Sequence, residues 1–104
     1  MIIAKTPEPP YYAVIFTSTQ SSDTSGYAAM AEKMVNLAKK QPGYLGIESA
    51  RQDIGITVSY WQDLESIKKW KSHAQHLQAQ ASGKSRWYDS YTTRIALVER
   101  DYTK

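Results

Sequence analysis

The chain has no cysteine, which removes disulfides, thiolate metal sites and cysteine nucleophiles together and suits a reducing compartment. It has a single phenylalanine beside eight tyrosines and three tryptophans. Its aromatic surface therefore carries polar tips, which suit interfaces and ligand cavities, although core filling is the commoner fate of any one ring. No apolar run approaches the roughly 20 residues that a membrane helix needs. Met1–Ala4 is too short for the apolar core of a signal peptide, so the sequence points to a cytoplasmic protein without a membrane partner. One-signed charge is missing too: the net charge is only +3. Acidic residues interrupt the basic ones, with Glu32 beside Lys33, Asp63 and Glu65 before Lys68 and Lys69, and Glu99 and Asp101 around Arg100. That is a solvated surface rather than a phosphate track, and it argues against nucleic acid. No Gly-rich phosphate loop, nucleophile elbow or HExxH motif is present, and no metal or bound cofactor is expected.

What is present fits one domain of 104 residues. Three of the four prolines fall in Met1–Pro10. Lacking amide donors, they make residues 1–10 an extended arm rather than a central strand; Ile2 and Ile3 either dock on a neighbour or belong to a loose tail. The domain proper spans 11–104. Tyr11–Thr19 places Tyr12, Val14 and Phe16 on one side and Tyr11, Ala13, Ile15 and Thr17 on the other, a strand covered on both faces and so central in its sheet. The polar loop Gln20–Ser25 supplies helix-capping types. Tyr27, Met30, Met34 and Leu37 then form one apolar stripe, ended by Gln41-Pro42-Gly43. Tyr44–Gln52 and Ile56–Trp61 read as strands joined by a short turn at Asp53–Gly55, an antiparallel hairpin. Asp63 offers a cap to a second helix through Leu64, Ile67, Trp70, Ala74 and Leu77, with a break expected around Ser72–Ala74 and an end at Ser82-Gly83. Tyr88–Arg100 is a long last strand.

The order β-α-β-β-α-β is the ferredoxin-like arrangement, a four-stranded antiparallel sheet with both helices on one face, hence an α+β fold. The other face, expected to carry Ala13, Ile15, Thr57, Arg94, Ala96 and Val98, is too apolar to stay wet. A homodimer through that open face, with a cavity between each sheet and its helices, is the expected solution.

Four stretches, PPYYAVIFTS (Pro9–Ser18), QPGYLGIES (Gln41–Ser49), VSYWQDLESIKKWKSHAQH (Val58–His76) and WYDSYTTRIALVER (Trp87–Arg100), carry a resemblance that covers nearly the whole chain. The sequence resembles the antibiotic biosynthesis monooxygenase (ABM) family of dimeric α+β barrels. The resemblance implies small pockets for planar aromatic or polycyclic compounds. Some such proteins oxygenate anthrone-type polyketides or quinols without a cofactor, and others degrade haem.

His73 and His76 lie one helical turn apart. One reading makes one of them a general base that deprotonates a phenol or an activated C–H, so that the anion passes an electron to dioxygen. Tyr60, Trp61, Trp70, Trp87 and Tyr91 would then line the substrate pocket, and Arg51 or Arg94 would stabilise the charge. A second reading makes a histidine a haem or metal ligand; a third leaves both merely solvated. Resemblance to haem-degrading members matches Trp70. It puts Gln80 where those proteins have their axial histidine, and Thr17 or Ser18 where they have asparagine, which favours the cofactor-free reading. A non-catalytic, stress-related protein that holds an aromatic ligand in the same pocket remains an alternative. Lys84-Ser85-Arg86 is a short basic loop, more simply solvated than anion-binding.

Overall fold

The alternating residues from Tyr11 onward form β1 (Tyr11–Gln20). In the computed structural model, which describes residues 2–81 and 87–104, β1 sits inside a four-stranded antiparallel sheet. The other elements are α1 (Tyr27–Lys39), β2 (Tyr44–Arg51), β3 (Gly55–Trp61), α2 (Leu64–Ala81) and β4 (Tyr88–Val98). The sheet order is β2-β3-β1-β4, the ferredoxin-like arrangement expected, with β1 central as its two apolar faces require.

Strand register arranges the sheet into cross-strand sets that share a face. On the helix side these are Tyr44–Trp61–Tyr12–Leu97, Ile47–Ser59–Val14–Ile95, Ser49–Thr57–Phe16–Thr93 and Arg51–Gly55–Ser18–Tyr91. Thr57 therefore belongs beside Phe16 on the helix side, not on the open face where it was expected. The open face instead carries Ile56, Val58 and Tyr60 from β3, in register with Thr17, Ile15 and Ala13. The β2 register shifts between Tyr44 and Gly46, the two-against-one count of a β-bulge. Gly55 also departs from expectation: it is the first paired residue of β3 rather than part of the turn.

The helices differ from their sequence signals at two points. α1 is capped by Gly26 in the left-handed region (φ 79°), with no side-chain cap; Asp23 Oδ1 instead accepts the Ser25 amide at 3.0 Å inside the preceding loop. α2 runs unbroken through Ser72–Ala74, because Ala74 and Leu77 continue the buried side begun by Ile67 and Trp70. Its start is as expected, with Asp63 Oδ1 accepting the Ser66 amide at 2.8 Å. The Ser66 hydroxyl first, then that amide bond, hold the Asp63 carboxyl below the usual range. Gly43, at φ 84°, follows α1, and a Cβ there would collide with Ser66 at the start of α2.

The core joins Ala38 of α1, Trp61 of β3 and Ile67 of α2, with Tyr12, Val14, Tyr44 and Trp70 packed around them. Both helices lie over the β2–β3 side of the sheet. β4 is left open even on its helix side, where Tyr91 is 65%, Ile95 52% and Leu97 48% exposed. The arm crosses the other face. The Ala4 amide donates to Glu48 Oε2 at 2.9 Å, and Ala4 Cβ packs over Gly46. Thr6 bonds Tyr11, while Ile2 and Ile3 stay exposed.

Candidate functional site

Gly55 creates the most unusual local geometry in the sheet. Having no side chain, it lets Arg51, its β2 neighbour, lay the guanidinium across β3, where a Cβ on residue 55 would collide with it. Arg51 Nη2 thereby reaches buried Ser18 Oγ on β1. The guanidinium carbon sits 5.9 Å from the centre of the Tyr27 ring, a cation–π approach. Nη1 has no hydrogen-bond partner, and it is the one buried side-chain nitrogen or oxygen so placed among the described residues. A buried donor without an acceptor is costly, so this atom calls for an explanation.

The Tyr27 ring belongs to an aromatic cluster. Phe16 meets Tyr88 at 5.2 Å and Tyr91 at 5.4 Å, and Tyr27 meets Tyr88 edge-on at 5.7 Å. Trp87 backs Tyr27 at 6.1 Å and is fixed by an Nε1 bond to the Ser25 carbonyl at 2.7 Å. Burial first, then a hydrogen bond with Tyr27, hold the Tyr88 phenol well above its ordinary range, while Arg51 pulls the other way. Tyr88 is therefore a neutral hydroxyl near pH 7. Apart from this cluster, an open recess of about 200 Å³ lies where β1 and β4 pass the Ile54 turn. Its lining is Thr17, Thr19, Ser90 and Thr92, which the register puts on the open face, with Ser18, Tyr91 and Ile54; Arg51 is not part of it. The helix-side cluster sets a guanidinium donor beside aromatic faces, which suits a planar ring that carries an oxygen.

Of the residues singled out from sequence, Arg51, Tyr91 and Trp87 fall in this region. Trp61 is fully buried in the core, stacked on Trp70 at 5.8 Å and bonded through Nε1 to Ser59 Oγ at 2.9 Å. Tyr60 and Arg94 lie on the open face, in the sets of Ala13 and Ile15. His73 and His76 are exposed on α2. The Gln80 side chain, the Ser82-Gly83 helix end and the Lys84-Ser85-Arg86 loop lie outside the described residues. Sequence reasoning missed Phe16, Ser18, Tyr27, Gly55 and Tyr88. The available signal was parity: Phe16, Ser18 and Tyr91 share a face by two-residue alternation and antiparallel pairing, and Tyr60 and Trp61 cannot.

A second polar cluster occupies the open face. Tyr60 donates to Glu48 Oε1 at 2.6 Å and Tyr11 to Asp101 Oδ2 at 2.6 Å, their rings meeting edge-on at 5.8 Å. Burial, then the bond to Glu48, pushes the Tyr60 phenol up; burial, then the bond to Asp101, does the same for Tyr11. Among the described residues no three His, Asp or Glu side chains gather as a metal site. No helix among them is long and apolar enough to cross a membrane.

Known proteins share both sequence and shape with this chain. YqjZ of Bacillus subtilis (strain 168), an uncharacterized protein, is 52% identical over 100 residues, covering 94% of this chain and 88% of its own. A variant of SnoaB, a cofactor-independent oxygenase from Streptomyces nogalater, superposes with a TM-score of 0.61 at 14% identity, over 89% of this chain and 95% of its own. A variant of MhuD, solved with two manganese protoporphyrin IX per active site, superposes at 0.66 and 15% identity, over 89% and 99%. At those identities the two structures speak for the fold alone. The family model for antibiotic biosynthesis monooxygenase matches residues 10–82, and the chain belongs to that family.

Proposed function

We propose that the protein is a dimeric, cytoplasmic, cofactor-independent monooxygenase acting on a small aromatic, quinol or polyketide-like compound. The observation that carries this is the Arg51 guanidinium spread over Gly55 against the Tyr27 ring, which belongs to one aromatic cluster with Tyr88, Phe16 and Tyr91. SnoaB's description as a cofactor-independent oxygenase supports the reaction type by likeness of fold.

The chemistry is proton removal from an activated ring methylene or phenol, then transfer of one electron from the anion to dioxygen. The radical and superoxide combine, and the proton first removed returns to give a hydroperoxide. Loss of water then leaves a carbonyl. In sum, the methylene carbon exchanges its two hydrogens for one oxygen atom of dioxygen, and the other oxygen atom departs with those hydrogens as water. His73 and His76 are kept as the candidate bases. The second subunit would cover the open face, where Ile56 is 45% exposed. Oxygen uptake by pure protein with a panel of quinols and anthrones tests the reaction, with His73→Ala and His76→Ala as controls and sedimentation for the dimer. Uptake with one dioxygen atom retained in the product is expected; no uptake from any compound, unaltered in both variants, would sink the reading.

A second reading is favoured by one observation: the recess lining holds hydroxyls but no carboxylate or imidazole. A non-catalytic protein that holds an aromatic ligand needs no base. Native mass spectrometry that finds a retained compound, with no turnover of it, supports this reading over the first.

A further inference from the structure

We propose that Arg51 Nη1 is an anion socket, and that the ligand is a compact planar ring carrying a negatively charged oxygen, as a carboxylate, phenolate or enolate. This rests on reading the Arg51 region as a ligand site, but not on any oxygenation there. The guanidinium is held from two sides, through Nη2 on Ser18 Oγ and through the face of Tyr27. Its position is fixed before any ligand arrives, which spares the ordering cost of a long side chain. Nη1 remains buried with no acceptor. The positive charge meets the Tyr27 ring, which is edge-on to Tyr88, and the titratable groups of that cluster, Tyr27, Tyr88 and Tyr91, are phenols rather than carboxylates.

Geometry selects the ligand's shape as well as its charge. Phe16 and Tyr91 lie at 5.4 Å with only 32° between their planes, while Tyr88 turns its edge to Phe16 at 72°. A flat ring can pack on such walls, and an oxygen on it would give Nη1 its acceptor. A guanidinium presents its donors in a planar fork that a carboxylate matches best. Phenolate and enolate oxygens supply the same charge through one atom.

Calorimetric titration of salicylate and of its neutral amide, salicylamide, into the wild-type protein tests the charge preference without any variant. A charge-assisted hydrogen bond predicts salicylate tighter by roughly 10- to 100-fold. Arg51→Gln should erase the difference, and Arg51→Lys should keep part of it. Gly55→Ala, which retains the arginine but drives the guanidinium off its seat, should lower salicylate affinity more than salicylamide affinity. For the phenolate source, 4-nitrophenol titrated by its absorbance should ionise at lower pH when bound, and at its ordinary pH in Arg51→Gln. If only the carboxylate responds, the socket reads carboxylates; if only the phenol responds, it reads phenolates or enolates. Equal affinity for salicylate and amide with an unshifted nitrophenol, or no binding of any probe, overturns the proposal. Selective binding without oxygen uptake keeps the socket and defeats the oxygenase. Uptake with neutral quinols but no anion preference does the reverse.

Discussion

Two tyrosine-rich clusters sit on opposite faces of one sheet, and they treat their charged groups differently. On the open face each carboxylate is engaged: Glu48 takes the Tyr60 hydroxyl and the Ala4 amide, and Asp101 takes the Tyr11 hydroxyl. These bonds lace the arm and the C-terminal tail to the sheet, and closed polar networks of this kind stabilise a single conformation. On the helix side Arg51 is held just as firmly, yet one of its nitrogens bonds nothing. Similar residue types thus make a clasp on one face and an open seat on the other. The difference is satisfaction of hydrogen bonds, not composition.

The largest expected effect calibrates the comparison from outside both clusters. Trp61→Ala removes the fully buried ring that Trp70 stacks on and Tyr44 abuts. It should cost about 3–5 kcal/mol, read as a lower urea midpoint. Next comes the clasp. Tyr60→Phe leaves Glu48 Oε1 without its 2.6 Å partner and should cost about 1–2 kcal/mol, with faster amide exchange at Ala4. Exchange unchanged there would show that the arm is held by something else.

Alkaline pH should act on both clusters. The Tyr60 and Tyr88 phenols are both raised by burial. A raised pKa means the folded state keeps its proton longer, so this stability is full below the unfolded tyrosine value of about 10 and fades as pH climbs above it. Unfolding midpoints should fall as pH climbs above about 10, and less steeply in Tyr88→Phe. Equal slopes for wild type and variant would contradict the burial of Tyr88.

The smallest stability change separates the two faces most sharply. Arg51→Met removes a buried charge that is only partly bonded, and replacing such a group by an apolar one is often neutral or stabilising. The change should stay within about 1 kcal/mol in either direction, while preference for an anionic ring is lost. A loss as large as that of Trp61→Ala would make Arg51 a strut of the fold.

The fold was largely legible in the sequence because alternation and helical spacing are local. Tyr12, Val14 and Phe16 announce their shared face in a few residues, as Met30, Met34 and Leu37 announce theirs. The site was legible only in pieces. Arg51 was visible as a charge near the end of a strand, but its reach to Ser18 depends on the register of three strands and on a missing side chain at Gly55. Such a gap is invisible when Gly55 is taken as turn. Tyr60, Trp61 and Arg94 were attractive by residue type, and the pleat assigns them to two faces. The expected break at Ser72–Ala74 failed for a related reason: weak local helix formers are overridden where Ala74 and Leu77 continue the packed side.

The most direct test of the contrast is two-dimensional NMR of the labelled protein with salicylate added. The account expects shifts at the Arg51 side-chain Nε–H and at the amides of Ser18, Gly55 and Tyr91, with Tyr11, Tyr60 and Asp101 unmoved. Shifts centred on the Tyr11–Tyr60 clasp, or on His73 and His76 with Arg51 silent, would contradict it.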